Sequence, residues 1–279
     1  MSSRGGKSSR GGKSGRGARG PLPRNVQVSK KMSSVLRHNA EKEGLNLDSA
    51  GYVNLYDLLQ NRNFKSMKVT FEEVLGIVKD NDKQRFTMIP AGEDTEAVNG
   101  QPSGPSTDPK NWLIRANQGH SLKLESEGLL KPISAEEGNV PETAVHGTTH
   151  SAWMLIVSSG GLKPMGRNHV HFASGLPAGF KSVVDQDDQG AQAQAPVISG
   201  MRNSSTVLMF LDVKKAMEAG VRLWLSDNGV ILSEGNEDGV IPLELFKTVE
   251  DRTGEGVLLE DGRVVKEAPK KWAGKGARS

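Results

Sequence analysis

Three short clusters in this chain set imidazoles beside glycine or hydroxyl residues: Gln118-Gly119-His120-Ser121, His146-Gly147-Thr148 and His169-Val170-His171-Phe172. Such runs pack a core poorly. Glycine lets the backbone come close to a bound group, while histidine, serine and threonine exchange hydrogen bonds with its hydroxyls or phosphates. Upstream stand Leu36-Arg37-His38 and Lys83-Gln84-Arg85-Phe86. An arginine fork offers phosphate two parallel charge-assisted bonds, and a histidine beside it can donate to the phosphate or move a proton near neutral pH. Taken alone, Arg37-His38 reads more readily as a solvated helix face and Arg85 as an edge-strand charge. His169 and His171, two apart on a strand, share a face, and with His120 or His146 they would give zinc three imidazoles. No carboxylate is expected in an ordered position close to these motifs, so the metal reading is the weaker one and no metal is expected.

The elements that carry these residues follow from apolar spacing. Ser29 to about Glu43 predicts a helix, with Ser29 as N-cap, Met32, Val35, Leu36 and Ala40 on one face and Gly44 as its stop. Leu36 then faces the core, and Arg37 and His38 share a polar flank. Tyr52-Val53 predicts a short strand running into a second apolar segment through Leu55, Leu58 and Leu59. Thr70-Phe71-Glu72-Glu73 is a capping box that opens another helix. Arg85–Ile89 alternates as a strand. From Asn111 onward, short apolar runs at Trp112–Ile114, Val170–Ala173, Val207–Asp212, Arg222–Leu225 and Val230–Leu232 predict strands, with helices near Ser151–Ser159 and Val213–Ala219. The fold class expected is α+β. Pro90–Lys110 and Gln186–Ala195 read as loops, and the four tryptophans as packing residues rather than base-stacking ones.

Composition limits the function. With 279 residues, 35% hydrophobic and 25% charged, the chain can bury two modest cores. It has no cysteine, which excludes disulfides, thiolate zinc and a cysteine nucleophile. No apolar run is long enough to span a bilayer and no signal-peptide pattern opens the chain, so no membrane partner is expected and the location expected is intracellular, in cytoplasm, nucleus or both. The net charge of +3 is a tail property. Residues 1–24 carry seven of the 36 basic residues and no acid, leaving 29 basic against 33 acidic residues elsewhere. An RNA site in the body must therefore be local, and the Arg/Gly/Ser/Lys tail is either a loose RNA contact or a solubilising segment.

The clusters, in their order and separation from about Ser29 to about Phe246, resemble the RNA 2′-phosphotransferases, and His146-Gly147-Thr148 resembles an element of the ADP-ribosyltransferase superfamily. No G-x-G-x-x-G fingerprint is present, so a Rossmann site is not indicated. The resemblance implies a catalytic set of Arg37, His38, Arg85 and Arg167. It implies a site for NAD, as co-substrate, formed by Gln118, Gly119, His120, Ser121, His146, Gly147, Thr148, His169, His171 and Asn228. Residues Asp212 and Ser226-Asp227-Asn228-Gly229 also resemble family elements, although Asp212 is equally a helix cap and Asn228-Gly229 equally a hairpin turn. The implied architecture is a disordered basic tail over 1–27, a winged-helix-like RNA lobe over 28–92, a loop insertion over 93–110, an ADP-ribosyltransferase-like lobe over 111–255, a second disordered basic tail over 256–279, and an active site in the cleft between lobes. The implied protein is a monomer.

The implied reaction is the last step of tRNA splicing. An internal 2′-phosphate of RNA attacks the nicotinamide ribose of NAD, and the neighbouring ribose hydroxyl then attacks that phosphate. The products are 2′-hydroxyl tRNA, nicotinamide and ADP-ribose 1″,2″-cyclic phosphate. Two other readings stay open: an ADP-ribosyltransferase acting on nucleic-acid phosphate ends or protein, which would not need all four of Arg37, His38, Arg85 and Arg167, and a non-catalytic RNA-binding protein.

Overall fold

The computed structural model describes residues 21–80, 83–92, 106–122, 124, 126–177, 180–183 and 200–273. The expected N-terminal tail to residue 20, most of the loop insertion (93–105), the Gln186–Ala195 stretch and residues 274–279 lie outside the described residues.

The first helix starts earlier than its apolar spacing predicts. α1 (Arg24–Ser34) has Pro23 at its N-cap, so Ser29 is an interior residue and residues 24–27 belong to the fold rather than to the tail. Arg24 supplies the reason: its guanidinium bonds Glu73 at 2.8 Å and the Met67 carbonyl at 2.6 Å, tying the extra turn to the body. The helix then widens into a π turn, Val35–Asn39, and a 3-10 turn, Glu41–Glu43, that ends at Gly44 with φ 73°. A π turn adds one residue to the helical ring and recurs at functional sites. Here it carries Arg37 and His38.

β1 (Val53–Asn54), α2 (Leu55–Gln60), α3 (Arg62–Met67), α4 (Phe71–Lys79), β2 (Phe86–Pro90) and β3 (Trp112–Ala116) complete the first unit. The capping box at Thr70 and Glu73 is formed in both directions. Met32, Leu36, Leu55, Leu58, Phe64 and Ile114 are fully buried together in one core. β3 lies between β1 and β2, both antiparallel to it, with Phe86 opposite Ala116. The boundary expected at residue 111 is therefore misplaced. Trp112–Ala116 pairs back with β2 and packs in the first core, because Ile114 and Ala116 have apolar partners there.

The second unit contains α5 (Ser126–Leu129), β4 (Lys131–Pro132), β5 (Val145–Thr148), α6 (His150–Ser158), β6 (Gly161–Leu162), β7 (Val170–Phe172), β8 (Val207–Leu211), α7 (Val213–Glu218), β9 (Trp224–Leu225), β10 (Ile231–Ser233), β11 (Ile241–Pro242), β12 (Phe246–Asp251), β13 (Gly256–Glu260) and β14 (Arg263–Val264). Its larger sheets are ordered β14-β13-β12-β8-β5 and β4-β9-β10-β7, all neighbours antiparallel. Asp212 caps α7 through the Lys215 amide. The assembly is α+β, with mostly short strands in several sheets. The disorder expected over 256–279 does not hold as far as residue 273. Leu258 and Leu259 of β13 are fully buried, and Trp272 stacks on His150 with ring centroids 3.9 Å apart. Lysine-rich composition there masks an apolar strand and an anchoring tryptophan. Among the described residues, no helix is long and apolar enough to cross a membrane.

Candidate active site

Arg37 reaches the site from the π turn, and its backbone fixes the first histidine cluster. The Arg37 carbonyl accepts the Ser121 amide at 3.0 Å, and Ser121 Oγ lies 2.9 Å from His38 Nδ1. Gly119, at φ 87°, turns the chain so closely over Arg37 that a Cβ there would sit 3.5 Å from Arg37 Nη1 and 3.7 Å from His171 Nε2. The His120 carbonyl accepts the Asn168 amide at 3.0 Å, which brings the Arg167 loop against the same cluster. Gln118 is buried beside these residues in sequence.

The cations meet there. Burial and the charges of Arg167 and Arg85 press the Arg37 pKa down to about 10. Its Nε and Nη2 are shut off from solvent and have no hydrogen-bond partner among the described residues. A buried guanidinium without a carboxylate, repelled by two others, costs free energy in the fold; an entering anion offsets that cost. Arg167, at the rim, is lowered by desolvation and by Arg202. Arg202 was not singled out from the sequence; its neighbours Gly200 and Met201 and the low-complexity stretch before it gave no chemical signal. His38 falls below its ordinary value through desolvation, then Arg37 and Arg167, so it is neutral at pH 7.

The histidines form the other half. His146 and Gly147 lie within β5 and His171 within β7. His146 Nδ1 donates to the His171 carbonyl at 2.9 Å, and His171 Nδ1 donates to the His169 carbonyl at 3.0 Å. With Nδ1 carrying the proton in each, Nε2 of both rings is an acceptor. His120 and His171 are lowered to about 3, by burial first and by nearby cations next, and both leave Nε2 buried without a partner among the described residues. The Nε2 acceptors of His146 and His171 suit hydroxyl groups, the neutral His120 ring can donate or accept, and the arginines suit phosphate.

Gly147, Thr148 and Asn228 each make contacts within the protein itself. A Cβ on Gly147 would run into Met201 and Ser205, so this glycine makes room for the protein itself. The Thr148 carbonyl is used by the Thr206 amide. Asn228 lies in the hairpin turn between β9 and β10, and its amide donates to the Lys83 carbonyl at 2.9 Å. His169 lies 3.2 Å from Glu234 and 3.1 Å from Ser126. Glu234 corrects the expectation that no ordered carboxylate stands near the histidines; it comes from the end of β10, far off in sequence, and only sheet pairing brings it there. Among the described residues, no group of three or more His, Cys, Asp or Glu side chains converges as a metal site.

Residues 23–235 match the model of the family described as RNA 2′-phosphotransferase, Tpt1 / KptA family. The chain is 41% identical over 224 residues to tRNA 2′-phosphotransferase 1 of Bos taurus, covering 80% of this chain and 74% of that one. It is 37% identical over 229 residues to the tRNA 2′-phosphotransferase of Saccharomyces cerevisiae, covering 81% and 84%, and 37% identical over 218 residues to tRNA 2′-phosphotransferase 1 of Danio rerio, covering 78% and 82%. The match covers the first unit, the second as far as the end of β10, and every residue of the arginine–histidine cluster, and the chain belongs to the RNA 2′-phosphotransferase, Tpt1 / KptA family.

Proposed function

We propose that the protein removes an internal 2′-phosphate from ligated tRNA with NAD as co-substrate. The observation that carries this reading is Arg37, whose Nε and Nη2 are buried without partners among the described residues while Arg85 and Arg167 stand close enough to lower its pKa. The tRNA substrate rests on the names of the relatives. The first unit, helices followed by the β2–β3 pair, is read as a winged-helix-like lobe for RNA, and the second, built on β5, β7 and β8, as an ADP-ribosyltransferase-like lobe for NAD.

The orphaned acceptors fit the co-substrate. Nε2 of His120 and His171, with that of His146, can take ribose hydroxyls, and Gly119 leaves the space between His171 and Arg37 open. Bound NAD would supply an anomeric carbon with nicotinamide as its leaving group. The protein's own part begins with Arg37, Arg85 and Arg167, which hold the phosphate dianion and fix its line of approach. A phosphate nucleophile needs no serine or cysteine. When the phosphoryl group moves on, the same guanidiniums stabilise charge on its non-bridging oxygens. His38 is neutral and held at Nδ1 by Ser121, so it can exchange a proton near the phosphate. The chemistry needs donors at one end and neutral acceptors at the other, and the cluster divides in that way.

The test is to mix the protein and NAD with an oligoribonucleotide carrying one internal 2′-phosphate, and with its 2′-hydroxyl counterpart. Nicotinamide release, loss of the 2′-phosphate and a cyclic phosphate of ADP-ribose are expected only with the first. Nicotinamide release without phosphate loss would mark an enzyme that stops at ADP-ribosylation. Neither event would leave an RNA-binding protein.

A further inference from the structure

Arg85 is the arginine whose position is least explained by its own element. It stands just before β2, after Gln84, which adopts φ 41° without being glycine. Left-handed backbone at such a residue persists only where surrounding bonds enforce it. Those bonds are present, and one of the three comes from the second unit. Asn228 donates to the Lys83 carbonyl at 2.9 Å. Asn117 donates from its side chain to the Gln84 carbonyl at 2.8 Å and from its amide to the Arg85 carbonyl at 3.0 Å. Three successive carbonyls, of Lys83, Gln84 and Arg85, are thus each gripped.

The two grips are joined. Thr87 Oγ1 donates to Asn117 Oδ1 at 2.7 Å and lies 3.4 Å from Asp227 Oδ2. Asp227 Oδ2 accepts from Arg115 at 2.6 Å, and Arg115 also bonds the Ala50 carbonyl. The turn that carries Asp227 and Asn228 is itself stiff. Ser226 Oγ donates to Asn228 Oδ1 at 2.8 Å, and the Ser226 and Val230 backbones bond each other. This turn leads into β10, where Leu232 pairs with His171 of β7. One sheet therefore carries, at one strand, the imidazole that faces Arg37 and, at the turn, the amide that holds the Arg85 segment.

We propose that the Ser226–Gly229 turn is a positioning latch for Arg85, with Asn228 acting on the phosphate site through Lys83 and Gln84 rather than by touching NAD. The latch sets the Arg85 guanidinium relative to His171, so that the hydroxyl-binding and phosphate-binding halves of the site share one frame. The inference rests on the functional reading above for the identity of the phosphate ligand.

The experiment uses the full chain and a double-mutant cycle. Asn228→Ala is compared with the parent, with Arg85→Ala and with the double variant. Three readouts are taken: turnover of 2′-phosphorylated RNA, affinity for inorganic phosphate and affinity for NAD. A latch predicts that Asn228→Ala lowers turnover and phosphate affinity about tenfold in the parent, by less than about twofold when Arg85 is already alanine, and leaves NAD affinity unchanged. Asn228→Gln, which keeps an amide donor, should recover part of the loss. Asn228→Ser, turn-forming but too short to reach Lys83, replaces the alanine variant if that one does not fold. A tenfold loss of NAD affinity would make Asn228 a co-substrate ligand, and an equal loss in the Arg85→Ala background would show that it acts elsewhere; either result overturns the latch. A parent inactive on 2′-phosphorylated RNA would sink the functional reading instead, and the phosphate titrations would still decide the latch.

Discussion

Acidification from pH 7 to pH 5 should destabilise this fold through His120 and His171. Both rings are buried and held to about 3, while an imidazole in the unfolded chain titrates near 6.5. Between those values the unfolded chain binds two protons that the folded chain refuses, so stability is fully present above about pH 6.5 and is lost as pH falls toward 3. For each ring the loss between pH 7 and pH 5 works out to about 2 kcal/mol, or about 4 kcal/mol for the pair. That is a large share of the roughly 5–15 kcal/mol that a domain holds. His146 and His169 are also lowered, so they add in the same direction. The depressed carboxylates, Asp251 and Glu73 among them, lose their contribution below about pH 4.5 and stay almost silent in this window.

The assay is urea unfolding at several pH values from 7.5 to 5, for the parent, His171→Gln and His120→Gln/His171→Gln. The parent's unfolding free energy should fall by about 4 kcal/mol or more, and the double variant should lose most of that slope whatever its own stability. Since both rings are already neutral in the fold across this window, a ligand that binds the neutral rings should raise stability without changing the slope. A flat parent profile, or an unchanged slope in the double variant, would refute the assignment of these rings as buried neutral acceptors.

Arg37→Ala, Arg85→Ala and Arg167→Ala should each slow overall turnover by about 10²-fold or more, and in at least one of them nicotinamide release should outrun loss of the RNA 2′-phosphate; three variants with parental kinetics would remove the phosphate pocket. Gly119→Ala should weaken NAD and phosphate binding together with only about 1–2 kcal/mol of backbone strain, since its methyl would stand between Arg37 and His171, whereas Gly147→Val should fail as a folding variant through Met201 and Ser205, which thermal melts will separate. Trp272→Ala should cost on the order of 3 kcal/mol by emptying the place against His150, read as a lower unfolding midpoint. Removal of residues 1–20, which hold six basic side chains and no acid, should weaken RNA binding and flatten its salt dependence without changing single-turnover rate at saturating RNA; the cut stops there because Arg24 is bonded to Glu73.

What the sequence exposes is residue type, and what it hides is pairing. Arg37-His38 and the histidine clusters are legible because arginine next to histidine, and glycine next to imidazole, serve no core. The π turn that aims Arg37 is not legible, since Met32, Val35, Leu36 and Ala40 fit an ordinary helix and an inserted residue leaves the apolar spacing almost unchanged. Trp112–Ala116 reads as the opening of a new unit because a long polar stretch precedes it, yet its hydrogen bonds are with β2 on the far side of that stretch. At the other end, Lys270 and Lys271 make the chain look like a solvated tail, while the buried Trp272 beside them decides its structure. Asn228 shows the limit most sharply. Its local pattern predicts a turn, correctly, but nothing in that pattern shows that its amide donates to a carbonyl 145 residues away. The protonation of the site is hidden for the same reason. A histidine motif reads the same whether its rings are charged or neutral, and only burial beside arginines from separate segments keeps His120 and His171 neutral. The division into cationic guanidiniums and neutral imidazoles is therefore a property of the fold, imposed on residues whose types alone would have allowed either state.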